Sequence, residues 1–453
     1  MEQQDPVLQT SSGVGDDGSG APSTAAVSSP APALSYQEKC RQALEVALYR
    51  TAMYADWRGR DPGPAADVDS RYRGLPLLTK DDIRAHFPYG LVPRGLDLND
   101  ALRSGEVSFV RTSGTADEAL DNLWNQSWWD DSERASWRLN AVAASVATGS
   151  HREAILASAR SVGPRSEGAP IPREERMLGR FLFLNEYGTP SEWPEGHERR
   201  TLQELAGYQP PVLEANPSLL ARVARWAERT GARAWQPALI TLTYEFPSAL
   251  QLRAIRRVFR SPIASSYGST EAGYVFMECE RGMLHQNVQS CRVDLVPMAG
   301  GLGRIAATTF GNTWFPLLRF EIGDVGRLAA GPCPCGRTEG MTLGSIEGRL
   351  KSLCIASDGS PVTHGQIDRA LAEVPGLEQY RVDQEAPAQV SCKVIGEPGR
   401  GPAAARGARD ALAAVFGAGV RVSAAEVAEL RPEKSGKFLL AARSFPLPEG
   451  FCA

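Results

Sequence analysis

The chain has 453 residues, and its 49 basic and 53 acidic side chains give a formal net charge of −4. Because no basic excess is available to neutralise a phosphate backbone, we expect no nucleic-acid partner. The sequence has no run of 18 apolar residues and no basic-then-apolar signal at its start, which predicts a soluble, cytoplasmic protein without a membrane partner. In a reducing compartment, the eight cysteines favour free thiols or a metal site over disulfides.

The N-terminal part of the chain is predicted to be a disordered tail followed by helices. Residues 1–34 are rich in Ser, Gly, Ala, Pro and Asp and have few large apolar side chains, so burial cannot offset the entropy of ordering them. Apolar residues recur at helical spacing from Tyr36, and Thr79 is a suitable cap for a helix that begins at Lys80. The folded part is therefore predicted to begin at residue 35.

Strands and helices alternate through the middle of the chain. Segments with helical periodicity lie at 213–229 and 248–259. Short segments rich in Val, Ile, Thr or aromatic residues predict strands at 106–110, 239–242, 263–267, 303–309 and 325–329. This alternation predicts a layered α/β domain with a largely parallel sheet over residues 35–350.

After residue 350 the pattern changes to a small α+β domain, residues 351–453. Its predicted elements are helices at 367–374 and 403–416 and strands at 390–395 and 420–424. At about 150 residues per domain, the length alone corresponds to about three units, and the predicted boundaries divide it unequally.

A hydroxyl-rich turn follows the strand predicted at 106–110. Ser113, Gly114 and Thr115 would expose backbone N–H and hydroxyl donors, which is how a loop binds an anionic phosphate. An ordinary Ser/Thr turn accounts for the same residues. The motif by itself leaves both interpretations open.

A second motif, Tyr267-Gly268-Ser269-Thr270-Glu271, lies at the end of the strand predicted at 263–267. The aromatic ring can stack on a base, and the glycine permits a tight turn. The carboxylate one turn later can hold Mg²⁺ beside a phosphate. A strand-to-loop turn with a solvated glutamate is the simpler alternative.

Three further turns carry charged side chains close to glycines. Asp324 follows Gly323 and can accept two hydroxyl protons, as ribose recognition requires, although a hairpin turn is the simpler explanation. Lys351 and Lys437 each follow a glycine by one to three residues. Each is an exposed, movable cation or an ordinary surface residue.

In this order the motifs resemble those of the adenylate-forming, or AMP-binding, superfamily of acyl and aryl ligases. Residues 75–84, with the sequence LPLLTKDDIR, narrow the resemblance to the phenylacetate-CoA ligase-like branch. The resemblance covers residues 35–445 and implies an adenylate-forming α/β domain with a mobile C-terminal cap. The matching segments are 112–115 for the phosphate loop, 267–271 for the adenine and magnesium motif, 320–324 for the ribose motif, 348–351 for the hinge and 435–437 for the catalytic lysine.

The resemblance also implies a role for each motif residue. Lys437 would neutralise the carboxylate and the α-phosphate, Thr270 would donate to the α-phosphate, and Glu271 would hold Mg²⁺. Lys351 would be the hinge on which the cap swings. The nucleotide-binding residues would be Ser113, Gly114 and Thr115 at the β- and γ-phosphates, Tyr267, Gly268, Ser269 and Tyr244 at or near adenine, and Asp324 and Arg349 at the ribose.

The predicted phosphate loop departs from the family pattern. Thr115 is followed by Ala116, Asp117 and Glu118, where the family usually has a hydroxyl residue, a glycine and a lysine. Carboxylates close to a triphosphate are strongly repelled, so either the loop contacts phosphate through its first turn alone or the two acids point away. Arg111 could supply the missing positive charge.

Three cysteines and one histidine form a candidate metal centre. Cys279 and His285 have five residues between them, and Cys333-Pro334-Cys335 follows. Three thiolates and one imidazole suit tetrahedral Zn²⁺, and four protein ligands leave no open position for water, so the site would be structural. Unligated thiols beside a surface histidine are the alternative. The remaining cysteines are predicted to be core or incidental residues: Cys40, Cys291, Cys354, Cys392 and Cys452.

The implied activity is that of an AMP-forming acid–thiol ligase. ATP would activate an aromatic carboxylic acid as its acyl-adenylate, releasing pyrophosphate, and the acyl group would pass to a thiol, with coenzyme A as the expected acceptor. The alternatives are a stand-alone adenylase of secondary metabolism, which loads a carrier protein or forms an amide, and a catalytically silent nucleotide-binding protein. A homodimer also stays open. Four tryptophans either line a flat aromatic pocket or belong to the core: Trp124, Trp128, Trp129 and Trp137.

Overall fold

The computed structural model describes residues 34–112, 119–448 and 451. Residues 1–33, nearly all of the predicted tail, lie outside this part of the chain. The predicted phosphate-binding residues Ser113, Gly114 and Thr115 and the acids that follow them also lie outside it, as does Cys452.

A twelve-stranded mixed sheet forms the centre of the described chain. A separate antiparallel ribbon precedes it, made of β1 (Ser108–Arg111) and β2 (Asp121–Trp124), and the connection between them contains the predicted phosphate loop. The strands of the large sheet are β3 (Glu153–Leu156), β4 (Met177–Leu178), β5 (Phe181–Phe183), β6 (Val212–Ala215), β7 (Leu239–Leu242), β8 (Ile263–Ser269), β9 (Gly273–Glu278), β10 (Leu284–Gln286), β11 (Cys291–Met298), β12 (Leu302–Thr309), β13 (Phe320–Leu328) and β14 (Thr342–Arg349). Their order across the sheet is β11, β12, β13, β14, β10, β9, β8, β7, β6, β3, β5, β4.

The sheet has a parallel part and a larger antiparallel part. Strands β5, β3, β6, β7 and β8 pair in parallel, and the pairs from β8 through β14 to β11 are antiparallel. Seven of the eleven strand pairs in the described sheet are antiparallel, so the prediction of a largely parallel sheet is wrong. The reason is that most strands after β8 follow one another without an intervening α-helix, and short connections join antiparallel neighbours.

Helices pack around this sheet, and in two of them a capping residue determines where the helix begins. At Thr79 the hydroxyl accepts from the N–H of Asp82 at 3.2 Å, and the Asp82 carboxylate accepts from the N–H of Thr79 at 2.9 Å, which confirms the predicted cap. The segment 213–229, predicted as one helix, divides into β6 and a helix because Asn216 caps a new start at Pro217. The helices are α1 (Tyr36–Glu45), α2 (Val68–Gly74), α3 (Lys80–His86), α4 (Leu98–Ser104), α5 (Gln126–Trp137), α6 (Ala141–Val146), α7 (His197–Tyr208), α8 (Pro217–Thr230) and α9 (Ala249–Val258).

The residues after 350 form a smaller α+β domain, which a 3₁₀ turn (Leu350–Ser352) connects to β14. Its elements are β15 (Cys354–Ile355), β16 (Pro361–Val362), α10 (His364–Ala372), β17 (Leu377–Ala386), β18 (Gln389–Gly396), α11 (Gly401–Phe416), β19 (Arg421–Glu426) and β20 (Ala441–Arg443). The main sheet of this domain has the order β19, β18, β17, β20. The four predicted elements are present, and β15, β16, β17 and β20 are additional. The predicted fold class, a large α/β domain with a small α+β C-terminal domain, is confirmed.

The two domains contact one another through α9. Arg253 donates to the carbonyl oxygen of Ala372 at 2.7 Å, and the N–H of Ala249 donates to the carboxylate of Asp368 at 2.9 Å. Leu250 packs into the apolar core of the small domain. None of the helices in the described ranges is both long enough and apolar enough to cross a membrane.

Candidate active site and metal centre

The turn between β8 and β9 carries the predicted adenine and magnesium motif. At Gly268 a Cβ would clash with the carbonyl oxygen of Gly273, so the close approach of the two strands requires glycine. The Ser269 hydroxyl accepts from the N–H of Ala272 at 3.1 Å and closes the turn. Thr270 is half-buried in the turn, and Glu271 is only 4% exposed. The motif is thus a tight turn that holds a carboxylate in the protein interior.

Three residues that the sequence assigns to base and ribose form one contact network. The Tyr267 hydroxyl donates to Oδ2 of Asp324 at 2.8 Å, and Nε of Arg349 lies 3.2 Å from Oδ1 of the same carboxylate. Asp324 and Arg349 are direct partners in the register of β13 and β14. Burial, and then the charge of Asp324, raise the pKa of Tyr267 well above its usual value. The pairing of neighbouring strands therefore assembles this part of the site.

The loop that carries Lys437 lies against the large domain. The N–H of Phe438 donates to Oε1 of Glu245 at 2.6 Å, and the Ser161 hydroxyl lies 3.5 Å from the carbonyl oxygen of Ser435. Gly436 has φ +79° and sits against Ser158, where a Cβ would clash. The backbone of this loop is consequently fixed against the segments that follow β3 and β7.

Lys437 itself lies within the electrostatic reach of the other predicted site residues. Burial, and then the charge of Arg349, lower the pKa of the Lys437 ammonium, while the carboxylates of Glu245, Asp324 and Glu271 oppose that shift. The structure thus brings together side chains from β13, β14, the β8–β9 turn and the small domain. Elements this far apart in the chain meet only in the folded protein.

Sequence reasoning missed Lys80 as a member of this cluster. Its Nζ lies 3.4 Å from Oε1 of Glu271. The segment before Lys80 is fixed to the start of β13, because Leu78 donates a backbone hydrogen bond to Arg319 and accepts one from Glu321. The sequence shows only that a helix starts at Lys80; the partner of the lysine depends on the pairing of this segment with β13.

Two predicted site residues lie apart from the cluster. Lys351 is exposed in the 3₁₀ turn between the domains. Tyr244 has an unusual positive φ of +74°, and its hydroxyl donates to the buried carboxylate of Glu214. The next residue, Glu245, contacts the Lys437 loop. The sequence alone did not predict this contact.

The four tryptophans are all half-buried and lie on β2 and α5. Trp124 and Trp129 have ring centroids 4.5 Å apart, and Trp129 lies 5.0 Å from Tyr274. The Trp128 indole donates to the carbonyl oxygen of Phe310 at 2.8 Å. Trp137 differs, because it lines a small cavity under β8.

The four predicted metal ligands meet at one point between β9, β10 and the β13–β14 connection. The ligand atoms of Cys279, His285, Cys333 and Cys335 all lie within 4.8 Å of one another. The Sγ atoms of Cys279 and Cys333 are 3.7 Å apart, and Sγ of Cys335 is 3.2 Å from Nε2 of His285. Thr342 lies 3.3 Å from the other ring nitrogen, Nδ1, of His285 and orients the imidazole.

The sulfur–sulfur distance in this cluster fits a shared metal better than a bond. A disulfide requires about 2.05 Å between the two sulfurs. In a tetrahedron with Zn–S bonds of about 2.3 Å, two sulfurs are separated by about 3.8 Å. The observed 3.7 Å between Cys279 and Cys333 agrees with the second value. The donor set and its spacing therefore fit Zn²⁺.

The overall fold is shared with solved CoA ligases. A 2-hydroxyisobutyryl-CoA ligase in the postadenylation state, in complex with R3-HIB-AMP, gives a TM-score of 0.67 and 18% identity, over 90% of this chain and 89% of that chain. An anthranilate CoA ligase in complex with anthranoyl-AMP gives a TM-score of 0.52 and 15% identity, over 79% of this chain and 74% of that chain. The chain has the fold of the adenylate-forming CoA ligases.

A second structure of the same 2-hydroxyisobutyryl-CoA ligase is less similar to this chain. The same 2-hydroxyisobutyryl-CoA ligase, in complex with 2-HIB-AMP and CoA in the thioesterification state, gives a TM-score of 0.52 over the same 90% of this chain. The postadenylation state gives 0.67.

Sequence comparisons cover less of the chain than the structural comparisons do. No model of a known protein family matches the chain. Protein CapK of Staphylococcus aureus is 25% identical over 171 residues, which are 36% of this chain and 37% of that protein. The chain therefore spans little more than a third of the length of that relative.

Proposed function

We propose that the protein is an AMP-forming ligase of the adenylate-forming superfamily, in its phenylacetate-CoA ligase-like branch. It activates an aromatic carboxylic acid with ATP as an acyl-adenylate, releases pyrophosphate and transfers the acyl group to coenzyme A. The observation that carries this proposal is that Lys437 of the small domain lies within electrostatic reach of Glu271 and of the Asp324–Arg349 ion pair.

The first half-reaction joins two anions, and the cluster supplies what this requires. A carboxylate oxygen attacks the α-phosphorus, and the bond to pyrophosphate breaks. The ammonium of Lys437 neutralises the carboxylate and the α-phosphate together, which lowers their repulsion as the new bond forms. Thr270, in the same turn as Glu271, donates to an α-phosphate oxygen.

The buried carboxylate of Glu271 is the proposed magnesium ligand. It is 4% exposed and already has a cationic neighbour in Lys80, so it provides a fixed negative charge that suits a divalent ion. Mg²⁺, when bound, supplies positive charge beside the phosphates. The ion pair with Lys80 orients the carboxylate before the nucleotide enters.

The nucleoside is held by the Tyr267 network. The ring of Tyr267, beside Gly268 and Ser269, stacks on adenine, and its hydroxyl orients Asp324. Asp324 accepts from the ribose hydroxyls, and Arg349 balances its charge. We also keep Ser113, Gly114 and Thr115 as ligands of the β- and γ-phosphates, and Tyr244 as a residue near adenine.

The second half-reaction needs a different placement of the small domain. After adenylation, the loop of Lys437 has no further task, and the acyl carbonyl carbon must be reached by a thiol. We propose that the small domain, residues 351–453, swings at the exposed Lys351. Support comes from the 2-hydroxyisobutyryl-CoA ligase, which has been solved in postadenylation and thioesterification states.

We assign a structural zinc ion to Cys279, His285, Cys333 and Cys335. The ion would tie the segment after β9 to the connection between β13 and β14, and these strands carry the residues on either side of the proposed nucleotide site. Four protein ligands leave no position for a reacting water. The zinc would thus stabilise the site without taking part in the reaction.

Product analysis tests the acceptor. With ATP, an aromatic acid and coenzyme A, we expect acyl-CoA and AMP in equal amounts by mass spectrometry. Acyl-adenylate that persists in the presence of coenzyme A would favour a stand-alone adenylase that loads a carrier protein or forms an amide. Absence of pyrophosphate release with every benzoic acid tested would favour the silent nucleotide-binding alternative. We place the reaction in the cytoplasm, with a homodimer left to sedimentation analysis.

A further inference from the structure

A small cavity lies under the sheet, next to the proposed nucleotide site. Strands β3, β6, β8 and β9 and helix α5 enclose it, and it has room for about one group of the size of a water molecule. Its lining is unusually polar for a protein interior. The polar residues are Glu133, Ser136, His151, Glu153, Glu214, Thr241, Ser266 and Tyr274.

The three carboxylates of this cavity are not equally balanced by positive charge. Glu153 lies 3.0 Å from Nη1 of Arg180 and 3.1 Å from Nε2 of His151. Glu133 accepts from the hydroxyl of Tyr274 at 3.0 Å, and Glu214 accepts from the hydroxyl of Tyr244. In the described part of the chain, neither Glu133 nor Glu214 forms an ion pair. Two carboxyl groups at the cavity therefore lack a cation of their own.

Ser266 supplies an independent sign that a group is missing from the cavity. It is 8% exposed, it lines the cavity, and its Oγ has no hydrogen-bond partner among the described residues. A buried hydroxyl without a partner costs about 1–3 kcal/mol, so such an atom is rare unless a ligand satisfies it. The cavity thus offers two carboxyl groups and one hydroxyl to a single small guest.

Burial also disfavours the charged form of these carboxyl groups. It raises the pKa of Glu214 to about 8 and the pKa of Glu133 well above its usual value, in both cases with a further contribution from the charge of Glu153. A guest that donates hydrogen bonds would relieve this burial cost. An apolar guest would leave it in place.

The cavity shares strand β8 and the turn between β8 and β9 with the proposed active site. Ser266 directly precedes Tyr267, so their Cα atoms are about 3.8 Å apart. Tyr274 follows Glu271 by three residues, across the turn between β8 and β9. Aromatic walls are present as well, since Tyr274 and Trp137 both line the cavity.

We propose that the acid activated by this protein is an aromatic acid with an amino group on its ring, and that Glu133, Glu214 and Ser266 bind that amino group. This rests on the proposed function, because it takes the carboxylate of the same molecule to lie at Lys437. An amino group donates to both glutamates and accepts from or donates to the serine hydroxyl. A methyl group of the same size makes none of these bonds.

Matched pairs of acids test the proposal in the wild-type enzyme. The pairs are 3-aminobenzoate with 3-methylbenzoate and 4-aminobenzoate with 4-methylbenzoate. We expect the better of the two aminobenzoates to have a kcat/KM for ATP–pyrophosphate exchange about 10- to 100-fold above that of its methyl counterpart. Equal values within each pair, or a preference for the corresponding hydroxybenzoates over the aminobenzoates, would overturn it.

Variants and a binding assay separate this proposal from the proposed function. Glu214→Gln and Ser266→Ala should each reduce the preference for the amino group, and Asp131→Asn on the exposed side of α5 should leave it unchanged. Calorimetric titration with aminobenzoates without ATP should show the same ranking. If aminobenzoates bind in a Glu214-dependent way but no acid supports exchange, the proposed reaction fails and the pocket stands. If wild type and Glu214→Gln bind them equally, the pocket proposal fails.

Discussion

Replacement of Lys437 by alanine removes the cation on which the proposed adenylation depends. The side chain is half-buried, and its charge interacts with the carboxylates of Glu245, Asp324 and Glu271. Loss of one preorganised group that stabilises charge in a transition state typically costs about 2.7–4 kcal/mol, or about 100- to 1,000-fold in rate. We therefore expect the rate of acid-dependent ATP–pyrophosphate exchange to fall by a factor in that range.

The assay for this prediction is the initial rate of exchange at saturating ATP and acid. Lys434→Ala is a matched control, because Lys434 lies in the same loop with its side chain exposed. Thermal unfolding of both variants shows whether the loop change alters folding. Formation of acyl-CoA from a supplied acyl-adenylate should be far less affected than exchange, since Lys437 acts before that step. A near-wild-type exchange rate in Lys437→Ala would refute the reasoning.

Three further predictions concern the ribose network, the metal and pH. Asp324→Asn should raise the KM for ATP by about 10- to 150-fold. Tyr267→Phe keeps the ring and should raise this KM by less than about tenfold. Equal effects of the two variants would contradict the ribose role of Asp324. Cys279→Ser should lose bound zinc, measured by plasma mass spectrometry, and unfold at a lower temperature. The control Cys392→Ser should also unfold at a lower temperature but keep its zinc. A full complement of zinc in Cys279→Ser would exclude the site. Because only the protonated ammonium carries charge, the exchange rate should fall as the pH rises through the lowered pKa of Lys437; a rate that stays constant up to pH 10.5, the ordinary value, would rule out that role.

Local sequence patterns were sufficient to locate the elements that carry the site. The turn after β8 and the carboxylate in β13 are short motifs in which glycine, aromatic ring and acid are close in sequence. The structure places the first motif at the end of β8 and Asp324 in the middle of β13. The Cys and His residues were also recognisable as one set, since their ligand types belong together. Such features depend on a few neighbouring residues and can be read without a fold.

Contacts between distant elements were outside the reach of sequence reasoning. The ion pair of Lys80 with Glu271 requires the segment before α3 to pair with β13. The cavity lined by Glu133, Glu214 and Ser266 draws each residue from a different element, and none stands in a motif for such a site. The sheet was expected to be largely parallel because helices and strands alternate early in the chain, a pattern that ends at β8.

Acid-dependent ATP–pyrophosphate exchange by the wild-type chain tests the central claim most directly. Purified protein is incubated with ATP, Mg²⁺, labelled pyrophosphate and each of a panel of amino-, hydroxy- and methyl-substituted benzoates and phenylacetates. We predict that label enters ATP only when an acid is present, with the amino-substituted acids giving the highest rates, and that AMP forms once coenzyme A is added. Absence of label in ATP with every acid, or formation of ADP and phosphate in place of AMP and pyrophosphate, would contradict the account.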